Sequence, residues 1–343
     1  MEVLKDLARV GLCLTLTLAT AHSFAETLPA ASATRSPAST SDSSTTISGF
    51  ADVGYSWIDE DSFNSGFRLF AGSLMVEHKF QDSRFYLDLP IKWAGPLDTD
   101  NDGIADSAAT NNFDLAKEKA QLYLEHKVGE WTLTLGQFDS IYGYEANDAA
   151  DNFFARLAWV GINVSHGTHN GLMLAHQRGP WSLNLIASDA VGKGSLGNTS
   201  PEYGGMIGYT QENGYLKFGY IEYSDHGDPM RFSEILMGLM RDHWELHLEL
   251  DHVDQVGQQD DTQAFLVSFT SQANDKWAWG LRFEGTSDYP GTYRRMDQTA
   301  GLKRTVNDHL VVKLDYRHSK SQSTQGATES KEDSAALSAV YRF

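Results

Sequence analysis

Cysteine is all but missing: Cys13 is the only one in 343 residues. Leu12 stands directly before it, where a lipoprotein cleavage site wants a small residue, so a lipid anchor is not expected. Cys13 also lies inside an N-terminal apolar run, and a chain without that run has no thiol nucleophile, disulfide or cysteine metal site. Long apolar stretches are missing too. Past residue 25 nothing approaches the roughly 20 apolar residues that a spanning helix requires, and mean hydropathy is -0.38. Positive charge is scarce. The formal net charge of -19 excludes the basic surface that nucleic-acid binding calls for. What these absences leave open is a soluble β protein or a membrane β-barrel, whose strands hide every other residue in a wet lumen and so give a weak hydropathy signal.

The N-terminus supplies a compartment. Lys5 and Arg9 precede the apolar run Val10 to Thr20, and Ser23-Phe24-Ala25 places small residues for cleavage after Ala25. That is the three-part pattern of a secretory signal, with Glu2 and Asp6 making its first part less basic than usual. Residues 26–46 are Ser, Thr, Ala and Pro in low-complexity order, expected to form a disordered periplasmic lead-in. The remainder, 47–343, is the expected folded unit.

That unit reads with period two. Phe85, Leu87, Leu89, Ile91 and Trp93 alternate with Tyr86, Asp88, Pro90 and Lys92. Trp244, Leu246, Leu248 and Leu250 alternate with Glu245, His247, Glu249 and Asp251. Leu310, Val312, Leu314 and Tyr316 alternate with Val311, Lys313, Asp315 and Arg317. Tight turns are predicted near Asp82, Gly129, Gly179, Asn213, Asp242, Asn274 and Asn307. Each interval holds two strands and a longer connection, and short turns at one end with long loops at the other is the asymmetry of an outer-membrane barrel. Trp131, Trp181, Tyr215, Trp244 and Trp277 each follow a predicted turn and are expected to form one interfacial girdle, with Trp57 and Trp93 in a second. The expected fold is an all-β, transmembrane antiparallel up-and-down barrel of about 16 strands. A different division of residues 155–178, where alternation fails, gives 14 or 18.

The non-apolar face carries both signs of charge in equal measure, including Lys92, Lys117, Lys119, Arg282, Lys313 and Arg317 against Asp52, Glu249, Asp251, Glu284 and Asp315. An Arg or Lys turned to lipid at mid-depth costs about 2–4 kcal/mol, so this face must meet water or partners of opposite charge. Sixteen strands enclose an aqueous channel. With the wall nearly neutral, the excess negative charge falls in the connections, which predicts weak cation preference at acidic mouths.

The last strand, Ala335 to Phe343, alternates Leu337, Ala339, Tyr341 and Phe343 with smaller or polar residues and ends in an aromatic. This ending resembles the C-terminal signal of Gram-negative outer-membrane barrels, which the barrel-assembly machinery reads. Asp98-Thr99-Asp100-Asn101-Asp102-Gly103, with Asp106 three residues on, sets carboxylates at positions 1, 3, 5 and 9 around a Gly at 6, as oxygen-ligated calcium loops do. It resembles thrombospondin type 3 calcium loops and departs from the EF-hand at Ala109, where a bidentate Glu would stand. Asp98, Asp100, Asp102 and Asp106 are candidate calcium ligands.

Gly136-Gln137-Phe138, then Tyr142-Gly143-Tyr144-Glu145, then His166, His169 and Gly171 resemble the signature region of the OmpL-like β-barrel porins. Thr168-His169-Asn170-Gly171 departs from the His-Thr-Gly-like segment of that family. The resemblance implies a passive outer-membrane channel whose loop after Asp139 folds inward, with Tyr142, Tyr144 and Glu145 as constriction candidates. Lys92, Lys117, Lys119, Glu249, Asp251, Arg282, Lys313 and Arg317 are the pore-lining candidates on the wall.

Catalysis would need a nucleophile, a base and an orienting acid together. No spacing matches a nucleophile elbow or a metal-binding helix, and His166 and His169 beside Ser165 are the nearest approach to a dyad. The expected function is a porin passing small hydrophilic solutes, not an enzyme; a surface receptor or adhesin acting through the outer loops is the alternative, with an outer-membrane barrel enzyme behind it. Expected partners are outer-membrane lipid, lipopolysaccharide and the assembly machinery, with a homo-oligomer left open. No cofactor is expected apart from calcium.

Overall fold

The computed structural model describes residues 43–59, 65–94, 112–115, 120–146, 148, 150–158, 160, 167–191, 201–225, 228–255, 261–288, 293–323 and 328–343. The expected signal segment, most of the expected lead-in and the candidate calcium loop at 98–106 lie outside the described residues, as do Lys117, Lys119 and the side chains of Lys92 and Trp93.

Seventeen strand segments follow one another in the chain: β1 (Ser43–Ile58), β2 (Gly66–Phe80), β3 (Ser83–Ala94), β4 (Asn112–Leu115), β5 (Gln121–Val128), β6 (Trp131–Asp139), β7 (Thr168–Arg178), β8 (Trp181–Val191) and β9 (Pro201–Gln211) form the first half. The second half comprises β10 (Gly214–Asp225), β11 (Asp228–Arg241), β12 (Trp244–Gln255), β13 (Thr262–Gln272), β14 (Trp277–Asp288), β15 (Tyr293–Thr305), β16 (Leu310–Ser323) and β17 (Thr328–Arg342). Every pairing is antiparallel. Because β4 and β5 both lie along β3, they occupy one strand position, and the barrel has 16 strands. It closes where β1 pairs with both β2 and β17. At the seam Phe343 and Gly49 exchange two backbone hydrogen bonds, of 3.1 and 3.2 Å.

All seven predicted turns separate strands where the sequence placed them, from 81–82 to 306–309. The uncertain stretch is resolved as well: residues 155–158 belong to a long connection between β6 and β7, and β7 opens only at Thr168.

The molecule is inside-out by the standard of a soluble core. Leu135 (57%), Phe218 (50%) and Ile207 (48%) are exposed around the outside, whereas Arg282 (0%), Lys313 (1%) and Glu249 (1%) are buried within. An apolar exterior band is unremarkable in lipid and a liability in water. Trp131, Trp181 and Trp277 are exposed at the short-turn end, as a girdle requires.

Tyr215 does not join them. Its ring points inward over Gly238, its hydroxyl meets His247 Nδ1 at 2.9 Å, and the outward positions of β10 belong to Leu216 and Phe218. Trp131, Trp181, Trp244 and Trp277 are each the first residue of a strand, but β10 begins at Gly214, so Tyr215 is second. With a side-chain period of two, one residue changes the face.

Candidate functional site

The described residues of the connection between β6 and β7 (140–146, 148, 150–158 and 160) turn into the barrel. The ends of this connection are held together where Ser140 N–H donates to Gly167 C=O at 3.1 Å. Non-helical backbone at membrane depth is tolerated only where protein or cavity water satisfies its polar groups. Here the inner wall supplies that satisfaction, with acids and bases sorted by the backbone group each one meets.

Wall carboxylates take the loop N–H groups. Glu234 Oε1 accepts from Gly143 at 2.6 Å, Glu249 Oε2 from Tyr144 at 2.8 Å, Glu284 Oε2 from Val160 at 3.0 Å, and Asp315 Oδ2 from Arg156 at 3.1 Å. Wall cations take the loop carbonyls. Lys313 Nζ donates to Ala150 and Asn152 at 3.1 and 2.6 Å, Arg317 to Leu157 at 2.6 Å, Arg342 to Ala150 at 2.8 Å and Arg282 to Arg156 at 3.2 Å. Charge-assisted hydrogen bonds of this kind are about twice as strong as neutral ones. Glu145 of the loop pairs with Arg282 of the wall and accepts from Ala158 N–H at 2.6 Å, while within the loop Asn152 bridges Ala146 through both its amide oxygen and nitrogen.

Apolar contacts fix the loop on one side of the lumen. Tyr142 and Val160 join Ile186, Met206, Ile221, Phe232 and Leu236 in a buried cluster. The Tyr142 hydroxyl donates to Tyr220 C=O at 2.9 Å, and its ring lies over Gly219, where a Cβ would come within 2.8 Å. Tyr144 stacks on His247 at 4.2 Å, and burial pushes its phenol up to about 12, so it remains neutral. Phe153 and Phe154 pack on Gly280 and Gly301, neither of which has room for a Cβ beside those rings.

Below the loop, toward the short-turn end, a cavity of about 570 Å³ lies between Tyr144, Asp151, Asn152 and Phe153 of the loop and Glu245, Lys303 and Lys276 of the barrel. On a wall segment formed by β2, β3 and β5, Arg84 pairs with Glu77 and Glu125 at 3.2 and 3.1 Å and lies over the rings of Tyr86 and Tyr123.

Of the sequence-predicted positions, Tyr142, Tyr144, Glu145, Glu249, Arg282, Lys313 and Arg317 come together at this loop, and Asp251 lies beside Glu249 and Glu234. Two contributors, Arg156 and Glu234, were missed, and a third, His169, was named with other partners. Arg156 falls in the stretch without alternation. Glu234 was masked because its inward neighbours Phe232 and Leu236 are apolar, the loop rather than water being their partner. His169 was weighed with His166 and Ser165, which lie outside the described residues; its partners are Glu202 Oε2 at 2.9 Å and Ser140 Oγ at 3.3 Å.

A family model described as "Putative beta-barrel porin-2, OmpL-like" matches residues 44–343. The chain belongs to this family. It is an outer-membrane β-barrel porin of Gram-negative type. Among solved structures, OmpF of Salmonella typhi in complex with daunomycin is similar at TM-score 0.64 and 12% identity, covering 87% of this chain and 97% of that one. An anion-selective porin from Comamonas acidovorans is similar at TM-score 0.62 and 12% identity, covering 88% and 100%. OmpT of Vibrio cholerae in its trimer form is similar at TM-score 0.59 and 10% identity, covering 88% and 99%. At such identities these likenesses concern the fold. No curated protein sequence matches the chain.

Proposed function

We propose that this porin passes small hydrophilic solutes down their gradients through a lumen narrowed by the loop at 139–167, with weak cation preference and no chemical step. The observation that carries the reading is the seating of that loop, whose N–H groups bind wall carboxylates and whose carbonyls bind wall cations. Glu234, Glu249, Glu284 and Asp315 meet the loop N–H groups and Arg282, Lys313 and Arg317 its carbonyls, so these wall charges face the loop rather than the permeating ions. Selectivity then falls to the mouths, where the excess of the -19 net charge concentrates cations over a Debye length of about 8 Å at physiological salt. Tyr142, Tyr144 and Glu145 set the narrowing in this proposal, with Arg282, Lys313 and Arg317 as the supports behind it.

The same proposal has the chain exported through a cleaved signal, assembled through its C-terminal strand, and surrounded by lipid and lipopolysaccharide, with Asp98 to Asp106 as a weak outer calcium loop. A homo-oligomer is proposed on the strength of a structural relative that has a trimer form.

The test is a planar-bilayer recording of purified, folded protein across a KCl gradient. Steady single-channel steps with a reversal potential slightly on the cation side are expected. A folded barrel that conducts nothing would refute the open channel and favour a receptor acting through the outer loops. A reversal potential on the anion side would refute the cation preference alone.

A further inference from the structure

We infer that the cavity below the inward loop is a subsite for a small zwitterion, a solute carrying one carboxylate and one ammonium group, such as an α-amino acid. The inference names a solute class for the proposed channel, and in that respect it rests on the channel reading.

Lys303 of β15 and Glu245 of β12 both line this cavity of about 570 Å³. Two strands lie between them, so their backbones stand three strand spacings apart, about 14 Å. The residues beside them on the intervening strands are small. Thr270 of β13 is the register partner of Glu245, and Ala278 of β14 is that of Lys303. Tyr144 and Phe153 of the loop complete the lining between the two charges.

Lys303 is the cation that the loop leaves over. Of the cations that act on it, Lys313 donates to the Ala150 and Asn152 carbonyls, and Arg342 to the Ala150 carbonyl and Asp151. Lys303 itself makes no hydrogen bond or ion pair among the described residues, and its ammonium lies 5.9 Å from the centre of the Phe153 ring. Of the carboxylates that act on it, Asp151 is taken by Arg342 at 2.6 Å. Glu245 is the other; its Oε2 meets His247 Nε2 at 3.3 Å, and its Oε1 has no donor among the described residues. Arg241, Asp242, His243 and Lys276 are exposed at the short-turn rim of the cavity, where water and salt screen them.

An ammonium and a carboxylate that face one cavity without touching favour a ligand with opposite charges at its two ends. A solute carboxylate makes a charge-assisted hydrogen bond to Lys303 Nζ, and a solute ammonium makes another to Glu245 Oε1. A solute with a single charge satisfies one of these groups and places nothing opposite the other. Phe153, Tyr144 and Ala278 offer its apolar part a surface.

The experiment reads binding without current. Folded barrel in detergent is titrated by calorimetry with phenylalanine, 2-phenylethylamine and 3-phenylpropanoate, which share a ring and carry both charges, the ammonium alone or the carboxylate alone. One saturable phenylalanine site is expected, about tenfold or more tighter than for either analogue, as the loss of one charge-assisted hydrogen bond implies. Lys303→Met should abolish the advantage over 2-phenylethylamine, and Glu245→Gln the advantage over 3-phenylpropanoate, with folding checked by heat-modifiable electrophoresis. Should a variant fail to fold, the three probes on the parent barrel still decide, and phenylalanine should shift the Phe153 and Ala278 amide signals selectively. No saturable phenylalanine binding, equal affinity for the three probes, or an advantage that survives in either variant would overturn the site. A barrel that conducts without binding phenylalanine would refute this subsite alone; one that binds it through Lys303 and Glu245 but carries no current would uphold the subsite and refute the channel.

Discussion

Arg156 of the inward loop and Asp315 of β16 are joined through backbone and side chain at once. The Arg156 N–H donates to Asp315 Oδ2 at 3.1 Å, while Nε and Nη2 reach Oδ1 at 2.9 and 2.6 Å. The third guanidinium nitrogen, Nη1, donates to Ser334 Oγ at 2.8 Å. One side chain thus ties the loop to two adjacent strands. Arg156→Ala is expected to cost about 2–3 kcal/mol in loop anchoring, the lower end for truncating one member of a desolvated charge pair, since 21% of the Arg156 side chain is accessible. The strand ladders are untouched, so the barrel should keep its heat-modifiable band while single-channel current becomes larger or noisier. Unchanged current and noise would show that this anchor does not hold the narrowing.

Gly219 is a glycine because Tyr142 lies on it. Gly219→Val forces the ring off the wall and breaks the hydroxyl bond to Tyr220, with an overpacking cost of about 1–3 kcal/mol. Tyr142→Phe, which keeps the ring, is expected to cost only about 1 kcal/mol. Conductance of the two variants should separate them: altered for Gly219→Val, close to the parent for Tyr142→Phe.

Tyr215 and Gly238 should be energetically coupled. A Cβ at 238 would stand 2.2 Å from Tyr215 Cε1, so Gly238→Ala alone is expected to lower thermal stability by about 1–3 kcal/mol. Adding Tyr215→Ala removes the clash and should recover most of that loss. Strictly additive effects in the double-mutant cycle would contradict the inward placement of Tyr215.

Closure depends on the last residue. Deleting Phe343 removes both backbone hydrogen bonds to Gly49 and the ring that covers it. Refolding into lipid vesicles should yield severalfold less heat-modifiable barrel, whereas Phe343→Leu, which retains the backbone bonds, should fall between the deletion and the parent.

The class of fold was legible because it is encoded locally. Alternation along Phe85 to Ile91 or Trp244 to Asp251 says which residues avoid water, and turn residues such as Gly129, Gly179 and Asn213 say where the chain reverses; neither depends on distant neighbours. Tyr215 escaped by a single residue of strand start. The site was legible in its parts and not in its assembly. Tyr142, Tyr144, Glu145, Arg282 and Lys313 could each be nominated from position and charge, but Arg156 meets Asp315 across 159 residues of chain, and Glu145 meets Arg282 across 137. Those pairings follow from the register of ten strands wound around a closed wall, a property of the sheet as a whole. Glu234 shows the limit most clearly. Its inward neighbours are apolar because a loop covers them, so only the folded loop, whose Gly143 N–H it holds, explains why a carboxylate sits among them.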